Sequence, residues 1–127
     1  MTKVLTAADA RHREFMEMSE AELQSRVLEL AALYGWLACH FRAATTGRTY
    51  LNKKGELSEL WLTAIQGDPG FVDMVLARDG RVLNCELKTT KGKLTFEQEL
   101  WAQALGDSYR LWRPADLENG AIEKALQ

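Results

Sequence analysis

The dipeptide Asp79-Gly80 constrains this chain more than any other feature. It separates two runs rich in apolar and β-branched residues, Phe71 to Ala77 and Val82 to Leu87. Asp-Gly in that setting predicts a two-residue type I′ turn, because positive φ at both loop residues matches the twist of the flanking strands. With Asp79 and Gly80 as the loop, Arg78 faces Arg81 and Asp73 faces Glu86. Counting outward from the turn, Asp73 and Glu86 form a non-hydrogen-bonded pair, the kind whose side chains approach most closely.

Period-two alternation puts Val72, Met74, Leu76, Leu83, Cys85 and Leu87 on one face of this hairpin, all apolar. The other face carries Asp73, Asn84, Glu86 and Lys88, with Val75, Ala77 and Val82 nearer the turn. One face is therefore core, and the other brings two carboxylates and an ammonium together. Like charges directly opposite destabilise a strand pair, and a hard divalent cation such as Mg²⁺ or Mn²⁺ offsets that repulsion. Lys88 follows Glu86 by two residues on the same face, where it can orient or deprotonate a water. An aspartate followed by Glu-x-Lys suits metal-assisted phosphodiester hydrolysis: the carboxylates hold the ion, and the ion and the lysine stabilise charge on the phosphate. An isolated Glu-x-Lys is more often a surface pair beside a stray aspartate. The register, the one-sided polarity and the segment that follows favour the site.

At 127 residues the chain reads as a single domain, 1–127, long enough for a core. Its net charge of −2 does not advertise nucleic-acid binding, so a DNA partner needs a local basic patch. Cys39 and Cys85 lie outside any C-x-x-C and both fall in predicted strands, which predicts buried free thiols. The N-terminus shows no apolar signal-like run and no stretch approaches membrane-spanning length, so a cytoplasmic protein is expected.

Residues 1–18 form a charged lead, with Thr6 positioned to cap a short helix through Phe15. Ser19-Glu20-Ala21-Glu22 is a capping box opening a helix to Tyr34, with Leu23, Val27, Leu30, Ala31 and Tyr34 as its buried stripe and Gly35 as its stop. Glu20 and Gln24, four apart, share a face. Trp36 to Arg42 reads as a strand, with His40 open between structural and ligand roles and Arg42 as a phosphate contact. Residues 43–66 read as a basic loop insertion, with 56–65 either a short helix or irregular. Arg48, Lys53 and Lys54 around Tyr50 form a candidate grip on DNA. After the hairpin, Lys91 and Lys93 flank Gly92 in a second basic turn. Thr95 to Gln98 is another capping box, opening a helix to Leu105 with Phe96, Leu100, Trp101 and Leu105 as its stripe. Gln98 either caps that helix or points at the site. A strand over 109–113 and a helix over 115–126 complete an α/β layer with a mixed sheet.

The segments Gly70-Phe71-Val72-Asp73, Glu86-Leu87-Lys88, Gly92-Lys93-Leu94-Thr95 and Glu97-Gln98 resemble the VRR-NUC (virus-type replication and repair nuclease) family of the PD-(D/E)xK superfamily. Thr63 to Gly67 is similar to the approach to the aspartate in phage-encoded members. The family usually has proline before the aspartate, where this chain has Val72; Asp68-Pro69 has the reverse order, and alternation and register both favour Asp73.

The resemblance implies a restriction-endonuclease-like fold, a central mixed β-sheet of about four strands flanked by helices. It implies metal ligands Asp73, Glu86, the backbone carbonyl of Leu87 and Glu20, with Glu22 as the alternative acid. Lys88 would activate water, and Gln98 and Gln24 would support the ligands or touch phosphate. It further implies a Mg²⁺- or Mn²⁺-dependent endonuclease selective for branched DNA such as Holliday junctions, a homodimer because paired cuts need two sites, and host-cell cytoplasm if phage-encoded. A non-catalytic DNA-binding accessory protein on the same fold is the alternative, and a purely structural α/β protein leaves the carboxylate pair unexplained.

Overall fold

The computed structural model describes residues 4–41, 44–62 and 66–127. Arg42 and residues 63–65 lie outside the described residues. The chain forms a four-stranded mixed sheet with helices against it, and a separate two-stranded sheet. The helices are α1 (Ala7–Met16), α2 (Glu20–Leu33), α3 (Phe96–Leu105), α4 (Pro114–Glu118) and α5 (Ala121–Leu126). The strands are β1 (Leu37–His40), β2 (Ala44–Leu51), β3 (Leu57–Leu62), β4 (Met74–Arg78), β5 (Arg81–Leu87) and β6 (Tyr109–Trp112).

The larger sheet has the order β1-β4-β5-β6, antiparallel except for the β5–β6 pair. The β4–β5 hairpin has the expected register, with Arg78 facing Arg81 and Met74 facing Cys85. Asp79 and Gly80 take φ of 50° and 78°, the two positive angles that a type I′ turn requires. Met74, Leu76, Leu83, Cys85 and Leu87 are buried on one face, as the alternation predicts. Leu23, Val27 and Ala31 of α2 close that core, with Ile122 and Leu126 of α5, Trp36 and Trp112.

The end of the chain is tied back to the sheet. Trp36 Nε1 donates to the Leu126 carbonyl at 2.8 Å, and Arg78 lies over the Trp36 ring at 4.6 Å. The Arg78 guanidinium also donates to the carbonyls of Tyr34, Leu126 and Gln127, which lie at the C-terminal ends of two helices where the backbone leaves acceptors unpaired.

Local capping follows the sequence. Thr6 caps α1 in a box with Asp9, and Thr95 caps α3 in a box with Gln98. Ser19 caps α2 by accepting the N–H of Glu22 at 3.1 Å, so the serine half of that box forms.

Five expectations need correction. Residues 44–62 are not a loop or a helix but the antiparallel β2–β3 pair. Its Thr- and Tyr-containing strands favour extended backbone, and Asn52 organises the turn by accepting the N–H groups of Lys54 and Glu56 at 2.9 and 3.0 Å. The helix over 115–126 is two helices, because Gly120 takes the left-handed conformation (φ 82°) between them.

Cys39 is exposed rather than buried: β1 is an edge strand, and Cys39 pairs with Val75 on the face away from the core. The stripe expected on α3 is also displaced. Phe96 and Leu100 are exposed, while Gln98, Trp101, Ala102 and Leu105 are partly buried. These four recur at helical spacing, so the inward stripe includes a glutamine. Finally, β4 begins at Met74, and Asp73 precedes the strand instead of facing Glu86 within it.

Candidate active site

The slip at Asp73 sets the geometry of the site. Its backbone N–H donates to the Cys85 carbonyl at 3.0 Å, although Cys85 is already paired with Met74. Its own carbonyl accepts the N–H of Phe41 at 3.1 Å. Its side chain turns across the ladder, and Oδ2 accepts the N–H of Leu87 at 2.7 Å. Asp73 is thus held by two bonds of its backbone and one of its carboxylate, between Phe41 just after β1 and Cys85 and Leu87 of β5.

Glu86 comes from the face of β5 opposite the core, yet it is only 2% exposed. Gln98 Nε2 donates to its Oε1 at 3.0 Å, and Lys88 Nζ lies 3.9 Å from the same oxygen. Burial pushes the Glu86 carboxyl up to about 8. The Asp73 charge and a hydrogen bond shared with Asp73 push in the same direction, Lys88 opposes them, and Glu20 adds a smaller upward push. The two acids therefore meet, as the hairpin reading required, but through side chains rather than through a directly opposed strand pair.

Gln98 satisfies both of its expected roles at once. Its Oε1 accepts the N–H of Thr95 at 2.9 Å, completing the cap of α3, while its Nε2 reaches Glu86. The approach of α3 depends on Gly70. A Cβ there would lie 2.8 Å from Glu97 backbone carbon and 2.9 Å from Gln98 nitrogen, and its φ of 90° already favours glycine. Trp101 fastens the same junction. Its Nε1 donates to the Pro69 carbonyl at 3.0 Å, and its ring meets Phe71 edge-on at 4.8 Å.

The other sequence-derived residues divide clearly. Glu20, at the first turn of α2, is exposed and acts on Glu86 through its charge. Glu22 is exposed, with its backbone N–H on the Ser19 hydroxyl. Gln24 does not reach the carboxylates; its amide sits 2.8 Å from His40 Nδ1. Leu87 is buried at the end of β5, with its N–H on Asp73. Lys91 and Lys93 are exposed in the loop after Lys88, Lys53 and Lys54 are exposed at the β2–β3 turn, and Arg48 is exposed on β2.

Sequence reasoning missed two contributors, Arg113 and Tyr109. Arg113 Nη1 donates to the carbonyls of Thr89 and Gly92 at 2.7 and 2.6 Å, which pins the loop that follows Lys88. Asn84, on the Glu86 face, donates to Ser108 Oγ at 3.0 Å. The hydroxyl of the half-buried Tyr109 is itself buried, and burial, with the charges of Glu86 and Asp73, pushes it up to about 12. Alternation along β5 places Asn84 on that face; nothing in the sequence distinguishes Arg113 or Tyr109.

Asp73 and Glu86 supply two oxygen donors of the kind a hard divalent cation takes. Two carboxyls in contact, one of them retaining its proton against a neighbouring charge, gain by sharing a cation instead of a proton. Among the described residues, no group of three or more His, Cys, Asp or Glu side chains is placed to hold a metal ion. No helix among the described residues is long and apolar enough to cross a membrane. No known protein family, curated protein or solved structure matches the chain.

Proposed function

We propose that this protein is a Mg²⁺- or Mn²⁺-dependent DNA endonuclease with a restriction-endonuclease-like fold, of the VRR-NUC kind, acting on branched DNA as a homodimer. The observation that carries the reading is the burial of Glu86 beside Asp73, Lys88 and Gln98. A surface Glu–Lys pair would be solvated and would cost the fold little. A carboxyl that is 2% exposed and forced to hold a proton is a liability to stability, and strongly perturbed groups of this kind concentrate at functional sites.

The ion would be held by Asp73, Glu86 and the Leu87 carbonyl, with Glu20 at the rim, and would supply Lewis acidity to a phosphoryl oxygen. The chain's own residues do the rest. Asp73 is oriented by the Leu87 N–H, and Glu86 by Gln98. Lys88, 14% exposed along its side chain, orients the attacking water and stabilises charge on the phosphate. Arg113 pins the following loop, which carries the exposed Lys91 and Lys93.

The test is cleavage of four-way, flapped and linear duplex DNA with and without Mg²⁺, with Asp73→Asn as the inactive control. Metal-dependent cleavage of branched substrates that Asp73→Asn abolishes supports the reading. Binding without cleavage would make the protein an accessory DNA-binding module, and neither outcome would leave the carboxylate pair to the fold. Light scattering with and without junction DNA tests the dimer.

A further inference from the structure

The hydroxyl of Tyr109 is buried and has no hydrogen-bond partner among the described residues. An unpaired buried donor destabilises a fold, so its retention asks for a state in which it is paired. The register fixes where the side chain points. Tyr109 is the parallel partner of Asn84, and paired residues in adjacent strands share a face. Tyr109 therefore emerges beside Asn84 and Glu86, away from the apolar core. The charges of Glu86 and Asp73 both act on the phenol, Glu86 more strongly, and Arg113 opposes them. A phenol hydroxyl is a hydrogen-bond donor.

We propose that Tyr109 is a positioning residue of the metal-loaded site, whose hydroxyl donates to the Glu86 carboxylate once a divalent cation takes Glu86 as a ligand. Gln98 already donates to one Glu86 oxygen from α3. A second donor from β6 fixes the plane of the carboxylate, as the hydrogen-bond partners of metal ligands generally do. The inference rests on the metal-dependent reading above and adds a residue to it.

The test compares Tyr109→Phe with the parent in Mn²⁺ titrations, followed by thermal melts and by cleavage. Phenylalanine keeps the ring and removes only the unpaired hydroxyl. The metal-free variant is expected to melt at or above the parent, and the Mn²⁺ concentration giving half-maximal stabilisation is expected to rise about tenfold. Tyr34→Phe, which removes a phenol hydroxyl bonded to Glu123 of α5 and not to the site, should leave that midpoint unchanged. A Tyr109→Phe chain that does not fold, or that melts well below the parent without metal, overturns the inference by giving the hydroxyl a structural role. An unchanged midpoint, or an equal shift in Tyr34→Phe, overturns it too. If the parent shows neither Mn²⁺-dependent melting nor cleavage, the metal-dependent reading fails and this inference with it. A responsive parent beside an unresponsive difference sinks only the role of Tyr109.

Discussion

Gln98 connects the cap of α3 to the acid of β5, accepting from the Thr95 N–H at 2.9 Å with one end of its amide and donating to Glu86 at 3.0 Å with the other. The two contacts can be separated. Gln98→Ala loses both, and loss of the capping interaction alone is expected to cost about 1 kcal/mol. Gln98→Glu keeps an acceptor for Thr95 but removes the donor and sets a third carboxyl against Glu86. Both variants should lose most cleavage, with only the alanine weakening the cap. Melts and single-turnover cleavage check this; a glutamate variant with parental rates would reduce Gln98 to a helix cap.

Glu86 gives the metal-free protein a defined pH dependence. Its pKa is raised from 4.5 to about 8, so the folded state holds a proton that the unfolded chain releases. The stability associated with that proton is fully present below pH 4.5 and is lost as pH rises through about 8. Metal-free melting temperature should therefore fall between those limits. Glu86→Gln, which mimics the protonated acid, should flatten that part of the profile while abolishing metal-dependent stabilisation. Because the cation competes with the proton, half-maximal stabilisation by Mn²⁺ should need less metal at about pH 8 than at about pH 6.

Gly70 should tolerate no side chain. Alanine there places a carbon 2.8 to 2.9 Å from the backbone of Glu97 and Gln98, at a φ that L-residues rarely adopt. Relief of that contact moves the first turn of α3 and with it Gln98. We expect Gly70→Ala to lower the melting temperature and to depress cleavage more than Gly120→Ala, whose added Cβ meets nothing within 4 Å. Equal effects on cleavage would mean that the Gly70 contact does not position the site.

Lys88→Ala should leave folding and DNA binding intact and reduce cleavage by roughly two to three orders of magnitude, the range found when one transition-state contact is deleted. Near-parental turnover would remove the lysine from the mechanism.

DNA affinity should weaken steeply with salt despite the net charge of −2, because local lysines and arginines release counterions. Replacing Lys53 and Lys54 together by alanine should make the slope of log affinity against log salt shallower by about two. An unchanged slope would exclude the β2–β3 turn from the grip.

By itself the sequence determined the elements whose signals are local. Asp79-Gly80 specified the hairpin and its register, since only positive φ at both positions lets the strands keep their twist. Thr6, Ser19 and Thr95 marked three helix starts through side chains that cap within three residues. Alternation along β4 and β5 identified both the core face and the face bearing Glu86. Tertiary structure decided what depends on contacts between distant segments. The slip at Asp73 arises because its backbone bonds to two strands and its carboxylate bonds to the Leu87 N–H. The inward stripe of α3 was chosen by Glu86, Phe71 and Pro69, which take Gln98 and Trp101 and leave Phe96 and Leu100 in solvent. The burial of Glu86, and the unpaired hydroxyl of Tyr109 beside it, follow from α3 and β6 closing over one end of β5, a juxtaposition that no periodicity within β5 encodes.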